Sequence, residues 1–273
     1  MVCRSIGPDN RKNRPPYHAK RTSLLSLLGA LEGVETGEVV FLNNGEIPED
    51  RLALMRGAGR IEPRAGLELH GSYWAALDLA LALPDGDLVL LAEDDHLYRP
   101  EALAATVEAA RALPGVAYFA PYGTTAEGMP SGEPLHPGLR RPRVADAELA
   151  PGWRRGVSHT SSFAVRVEAL RRDEALHRIA PRCGGAWDHA LSLAYQGLLP
   201  YGPGAMLSAL RQPDLEPPRR AKVTAWRALL AARALRRRPH RLAVARPSLS
   251  THVESGVIAL GTDWAAEAGR AQN

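Results

Sequence analysis

The spacing of apolar positions changes period repeatedly along this chain. Leu24, Leu27, Leu28 and Leu31 fall at i, i+3, i+4 and i+7, which predicts an amphipathic helix within residues 17–31. Residues 38–42 (EVVFL) form a short apolar run closed by Asn43-Asn44-Gly45, a strand followed by a turn. Pro48 opens a second helix that ends near Gly57 and Gly59. Residues 71–83 set Trp74, Leu77 and Leu81 on one helical face. Leu88, Val89, Leu90 and Leu91 are continuously apolar, the pattern of a strand covered on both faces. A helix over 100–113 follows, started by Pro100, and then a strand over 116–120 (VAYFA). Residues 1–6 read as a weak first strand. Strands alternating with helices predict an α/β fold with a doubly wound, mostly parallel sheet.

The rhythm breaks at 121–156, which is rich in glycine and proline and has no period. A loop that long in a compact domain is functional or disordered. Strand character returns over 158–165, helix over 166–179, and a short helix over 190–195 after Gly184-Gly185. Residues 205–210 read as a strand, 221–238 as a basic helix and 247–254 as extended. The tail after Gly261 is expected to be loose.

Composition changes this picture in two places. Of 273 residues, 45% are hydrophobic and 23% charged, enough for a large core. The two cysteines, Cys3 and Cys183, form no C-x-x-C pair. That excludes a disulfide framework and gives a zinc site no support, so a cytoplasmic setting is expected. No apolar run nears the ~18 residues of a membrane span, and no signal-peptide pattern is seen at the N-terminus. Charge is split. Residues 211–246 carry +9 and the remainder −5, so a basic segment joins a mildly acidic domain.

The candidate chemistry lies where the 88–91 strand ends. Glu93, Asp94 and Asp95 follow at once, and ligands in open α/β sheets bind outside the carboxyl ends of strands. Adjacent carboxylates repel unless a cation sits between them, and oxygen ligands suit Mn²⁺ or Mg²⁺. The plain alternative is a solvated acidic loop before the helix at Pro100.

AEDDHLYRPEAL (92–103) resembles the metal-site segment of GT-A glycosyltransferases, the family-2-like enzymes that use nucleotide-sugar donors. The upstream GSYWAALDLALALPDGD (71–87) is similar to the helix that leads into their acidic strand. The resemblance is close over 71–103 and loose over 1–197. It implies a GT-A-like sheet flanked by helices, with a catalytic domain over 1–210. The donor half would be about 1–120 and the acceptor half about 121–210, followed by a small basic helical extension over 211–273. It also implies a metal-dependent, inverting transfer of a sugar from a nucleotide-diphosphate sugar to a hydroxyl acceptor, which could be a saccharide, lipid-linked or a small molecule.

By the same resemblance Asp95 ligates the metal and Asp94 faces the ribose, with Glu93 as their neighbour. The sequence has E-D-D, not a strict D-x-D, so the division of labour among the three stays open. Asn43 or Asn44 stands where such enzymes carry a base-binding aspartate, a departure that weakens any inference of uracil. A plain turn explains the asparagines equally well. Arg11, Arg14 and Lys20 are candidates for the phosphates, or a solvated basic loop. Ser72 is a candidate anion site at a helix start, or an N-cap. Asp188 is the candidate base, or an N-cap, and Trp187 a sugar-stacking face, or core. His252 is a candidate further metal ligand, or a structural histidine. Thr160 and Ser161, with the 121–156 loop, would hold the acceptor.

Two rivals remain. A sugar nucleotidyltransferase would carry a glycine-rich loop after the first strand, and Ser5-Ile6-Gly7-Pro8-Asp9 is not one. A peripheral membrane-surface or nucleic-acid binding protein would use the basic 211–246 segment. Nucleic acid has weak support there because Trp226 is its one aromatic ring. Contact of 219–241 with an anionic membrane, at the inner face, is compatible with the transferase reading.

Overall fold

A computed structural model describes residues 1–7, 9, 13–132, 142, 144–211 and 216–272. The first half alternates as the pattern predicts: β1 (Val2–Ile6), α1 (Lys20–Leu31), β2 (Val40–Asn44), α2 (Glu49–Ala58), β3 (Arg60–Arg64), α3 (Leu69–Leu81) and β4 (Leu88–Glu93). A short β5 (His96–Tyr98) leads into α4 (Ala102–Ala112) and β6 (Tyr118–Ala120). The second half adds β7 (Gly123–Thr125), β8 (Glu148–Ala150), β9 (Trp153–His159), β10 (Phe163–Arg166), α5 (Val167–Ile179), α6 (Trp187–Tyr195) and α7 (Pro203–Leu207). It ends with α8 (Pro217–Leu235), β11 (Leu242–Ala245), β12 (Ser250–His252) and α9 (Trp264–Gln272).

Ten strands form one sheet in the order β3-β2-β1-β4-β10-β6-β11-β9-β7, with β8 also on β9. Pairing is parallel through β3, β2, β1 and β4, and again between β6 and β11. Strands β9 and β10 run against their neighbours. Successive strand residues point to opposite faces, which divides the core. Val89 and Leu91 pack with α3, α5, α6 and α8, through Leu77, Leu170, Leu191 and Leu230. Leu90 and Ala92 pack with α1, α2 and α4, through Leu24, Met55 and Leu103. Both faces of β4 are covered, hence its unbroken apolar run. This is the predicted doubly wound, mostly parallel α/β sheet.

Five expectations need correction. Strand β3, RIEPR, went unseen because it is an exposed, charged edge; its Pro63 is tolerated there. The single strand expected over 158–165 is two strands broken at residues 160–162. Residues 205–210 are helical, in α7 and a following 3₁₀ turn. The 211–273 segment is no appendage. β11 lies inside the sheet between β6 and β9, and β12 pairs with β5. Gly156 of β9 permits that fit, since a Cβ there would stand 2.5 Å from Leu242 and Val244. The expected loose tail is α9. It buries Trp264 and Ala268 with Leu97, Tyr122 and Val253, and Gln272 Nε2 donates to Thr22 Oγ1 at 2.7 Å.

Candidate active site

The parallel register of β1 and β4 sets Arg4 opposite Glu93, so both strands end at one place. A cleft of about 300 Å³ opens there, lined by Arg4, Ser5, Arg14, Lys20, Asn44, Ser72 and the three acids. Each acid has its own cation. Glu93 is paired with Arg4, whose guanidinium also lies 5.2 Å from the centre of the Tyr73 ring. Burial pushes the Glu93 carboxyl up, against the pull of Arg4.

Asp94 is a fastener. Its Oδ2 accepts from Ser5 Oγ at 2.7 Å and the Ile6 amide at 3.0 Å. Lys20 Nζ and Arg51 Nη1 stand 3.2 and 3.4 Å from the same oxygen. These contacts tie the turn after β1 to the end of β4. They leave Asp94 9% exposed and in contact with protein groups, so the ribose role expected for it has little surface to work with.

Asp95 is the convergent group. Its Oδ1 meets His96 Nδ1 at 3.0 Å, and its Oδ2 meets His252 Nε2 and Arg14 Nη2, each at 3.0 Å. Burial alone would raise this carboxyl, but the bonds from His252 and His96 outweigh it and hold it well below the usual range. Burial would likewise lower His252, and the bond to Asp95 raises it instead. The two imidazoles stack, with centroids 5.0 Å apart and planes 18° apart. His252 reaches the site because β12 pairs with β5, placing His252 opposite His96. Arg14 Nη1 donates to Val253 O at 2.6 Å, which locks the early loop to the same strand.

The donor set suits a divalent ion. Ligand atoms of Glu93, Asp95 and His96 lie within 4.8 Å of one another, and His252 adds a second imidazole. Carboxylate with imidazole fits Mn²⁺ better than Mg²⁺. Arg14 shares Oδ2 of Asp95, so an ion there would compete with its guanidinium.

The other expected residues divide. Asn43 is buried with its amide on Met55 Sδ, and Asn44 exchanges two bonds with the Leu67 backbone. Both Asn44 amide atoms are thus engaged by the Leu67 backbone, while Asn43 Oδ1 has no hydrogen-bond partner among the described residues. Lys20 is buried, donating to Ile6 O at 2.6 Å beside Asp94, and so presents no free ammonium to a phosphate. Arg11 lies outside the described residues. Ser72 is not an N-cap, because α3 starts three residues earlier with Glu68 in that place. It lines the cleft, with Arg4 Nη1 3.5 Å from its hydroxyl.

Nor is Asp188 an N-cap. Ala186 holds that position, and Asp188 is the second residue of α6. Its Oδ1 accepts from the His189 amide at 2.8 Å. Burial raises its carboxyl, partly offset by that amide, by His189 and by His252. Trp187 packs against Tyr73, with centroids 4.8 Å and planes 61° apart, so part of its ring is taken by the core. Thr160 Oγ1 bonds His96 Nε2 at 3.1 Å, while Ser161 is half-buried in the break between β9 and β10.

Sequence reasoning missed Arg4 and Arg51, placed His96 beside the site without a role, and took Ser162 only as part of the acceptor strand. Ser162 Oγ accepts the Glu93 amide at 3.1 Å and lies 3.4 Å from His96 Nδ1. An arginine inside an otherwise apolar strand, and a histidine directly after the acids, were the available signals.

No protein-family model matches the sequence, and no curated protein matches it. Among solved structures it is similar to residues 1–349 of TarS from S. aureus. The identity is 13% over 84% of this chain and 71% of that one, with TM-score 0.39. It is also similar to CMP:2-keto-3-deoxy-manno-octonic acid synthetase complexed with CTP, at 15% over 70% and 82%, TM-score 0.41. A third is glucosyl-3-phosphoglycerate synthase from Mycobacterium tuberculosis with Mn²⁺, UDP and phosphoglyceric acid, at 11% over 62% and 56%, TM-score 0.36. Likenesses this distant assign no chemistry. The chain's own geometry defines its class. A doubly wound sheet carries an acid cluster at the end of a central strand, reached by a histidine from the last strand. That is a doubly wound α/β architecture with a cleft at the carboxyl ends of its parallel strands.

Proposed function

We propose that this chain is a glycosyltransferase that uses a nucleotide-diphosphate sugar, with a divalent ion, Mn²⁺ before Mg²⁺, and an inverting displacement. One observation carries the reading: Asp95 meets His252 and His96 inside a cleft that Arg4 and Arg14 also line. Such a cleft suits a diphosphate and a cation together. Asp95 and His252, with His96 and Glu93 beside them, would hold the ion. When bound, it supplies Lewis-acid stabilisation of the leaving diphosphate.

The chain's own groups do the rest. Arg14, once released from Asp95, offers a guanidinium fork to the phosphate oxygens. Ser5, Lys20 and Arg51 keep Asp94, and with it the loop after β1, in one position. Asp188 takes the proton from the acceptor hydroxyl as that oxygen attacks, and its raised pKa brings its basicity closer to the task. Trp187, Thr160 and Ser161 border the acceptor side.

Thermal-shift measurement with nucleoside diphosphates, with and without Mn²⁺, tests the reading. Binding to the native state alone raises stability by roughly 2.7 kcal/mol at a hundredfold excess over Kd. A metal-dependent rise is expected for one nucleoside diphosphate. A rise confined to nucleoside triphosphates would favour a nucleotidyltransferase, and no rise with any nucleotide would end the donor reading.

A second reading concerns the surface of α8. Arg219, Lys222, Arg233 and Arg236 are exposed there, with Leu229 and Leu235 at 38% and 64% exposure. Basic residues beside exposed leucines suit an anionic lipid surface. No helix among the described residues is long and apolar enough to cross a membrane. The protein is expected to sediment with anionic liposomes at low salt and to be released as salt rises, since exposed charges are screened over ~10 Å at 0.1 M. Failure to sediment at low salt would leave these arginines as a solvated face.

A further inference from the structure

Four basic side chains in this protein are more than nine-tenths buried among the described residues: Arg4, Lys20, Arg51 and Arg227. The first three each face a carboxylate, Glu93 or Asp94. Arg227 does not. Its Nε donates to Cys183 O at 3.0 Å, and its Nη1 donates to Ala205 O at 2.6 Å and Ser208 Oγ at 2.8 Å. All three are neutral acceptors, and the bonds use two of its three nitrogens. A guanidinium that is 6% exposed and meets no carboxylate among the described residues is costly to fold around.

Arg227 also lines a cavity of about 420 Å³, with Gly184, Gly185, His189 and Tyr201. The Arg227 guanidinium lies 5.2 Å from the centre of the Tyr201 ring. Gly184 and Gly185 hold left-handed φ values of 65° and 64°, with open space where a Cβ would stand, so the rim there is bare backbone. His189 belongs to the first turn of α6, whose positive end adds to the attraction for an anion. Asp188 lies in that same turn, with Tyr73 and His252 among its electrostatic neighbours. The cavity therefore adjoins the residue that would deprotonate the acceptor. It is far larger than one phosphate, with room for part of the molecule that carries it.

We propose that this cavity is an acceptor subsite and that Arg227 receives a phosphate group carried by the acceptor. The acceptor assignment rests on the transferase reading; the anion site itself rests on Arg227 and the cavity.

Calorimetry with inorganic phosphate tests it, on protein first saturated with nucleoside diphosphate and Mn²⁺ so that the donor cleft is filled. Acetate is titrated in parallel at equal ionic strength. Phosphate is expected to bind more tightly than acetate. Arg227→Gln should weaken phosphate roughly 10–100-fold while leaving nucleotide affinity unchanged. Ala205→Glu, at a half-buried position lining the same cavity, supplies a competing carboxylate and should abolish phosphate binding in a folded protein. Phosphate binding that survives Ala205→Glu or ignores Arg227→Gln overturns the proposal, as does a preference for acetate. Should nucleoside diphosphate fail to bind while Arg227-dependent phosphate binding persists, the donor reading falls and the anion subsite stands.

Discussion

Asp95→Ala should remove metal-dependent nucleotide binding and lower kcat/KM by more than about 10–100-fold, the worth of the supporting partners of metal ligands. Among the described residues no other side chain meets two imidazoles and a guanidinium at once. Removing it takes the shared acceptor from His96, His252 and Arg14 together. Arg14 keeps its bond to Val253 O, so the loop should stay in place. The buried guanidinium then loses its counter-charge, and a stability loss of about 1–3 kcal/mol is expected. Circular dichroism and nucleotide calorimetry on the same sample separate the two effects. Asp95→Asn should lose the metal dependence with a smaller loss of stability. A variant that folds and still binds nucleoside diphosphate with unchanged Mn²⁺ dependence would remove Asp95 from the site.

Asp188→Asn should lower turnover by about 10²–10⁴-fold with donor affinity unchanged, the usual worth of a positioned acid–base group. Asparagine keeps the size and can still accept the His189 amide, but it takes no proton. The pH dependence carries a sign. Burial raises the Asp188 carboxyl, so its base form is lost as pH falls through a value above the ordinary aspartate range. The acid limb of the rate profile should lie there, and Asp188→Asn should flatten it. Stability runs the opposite way. A raised carboxyl favours the fold fully below its unfolded pKa and loses that contribution as pH rises through the folded one. At neutral pH the asparagine variant should therefore melt no lower than the parent. Wild-type turnover in Asp188→Asn would send the search to Glu254, which lies 3.8 Å from His252.

The alternating pattern made the first half of the sheet legible because parallel, two-sided burial leaves a strong signature in β2 and β4. Strand β3 was hidden because its side chains face water and carry no apolar period. The acids could be found from position alone, at the end of a buried strand. Their division of labour could not. Asp94 looks as available as Asp95 in the sequence, and only the approach of Ser5, Lys20 and Arg51 takes it out of play. The contacts of Asn43 and Asn44 were hidden for a similar reason, since Met55 of α2 and the Leu67 backbone lie outside β2. The charge count over 211–246 was correct as arithmetic, but it concealed that Arg227 is buried and that Arg237 pairs with the fully buried Asp173.

The position of β11 and β12 also bears on how the protein is made. β6 is parallel to β11, which pairs Tyr118 with Leu242, and His96 waits for His252. Chains emerge from the ribosome amino end first. The nascent polypeptide can assemble β1, β2 and β4 early, but the gap between β6 and β9 stays open until residue 245 has been translated. Asp95 gains its second imidazole seven residues later still. Messages cut short before that point would yield products with an unfilled groove in the sheet and an incomplete centre, substrates for proteolysis rather than slow enzymes.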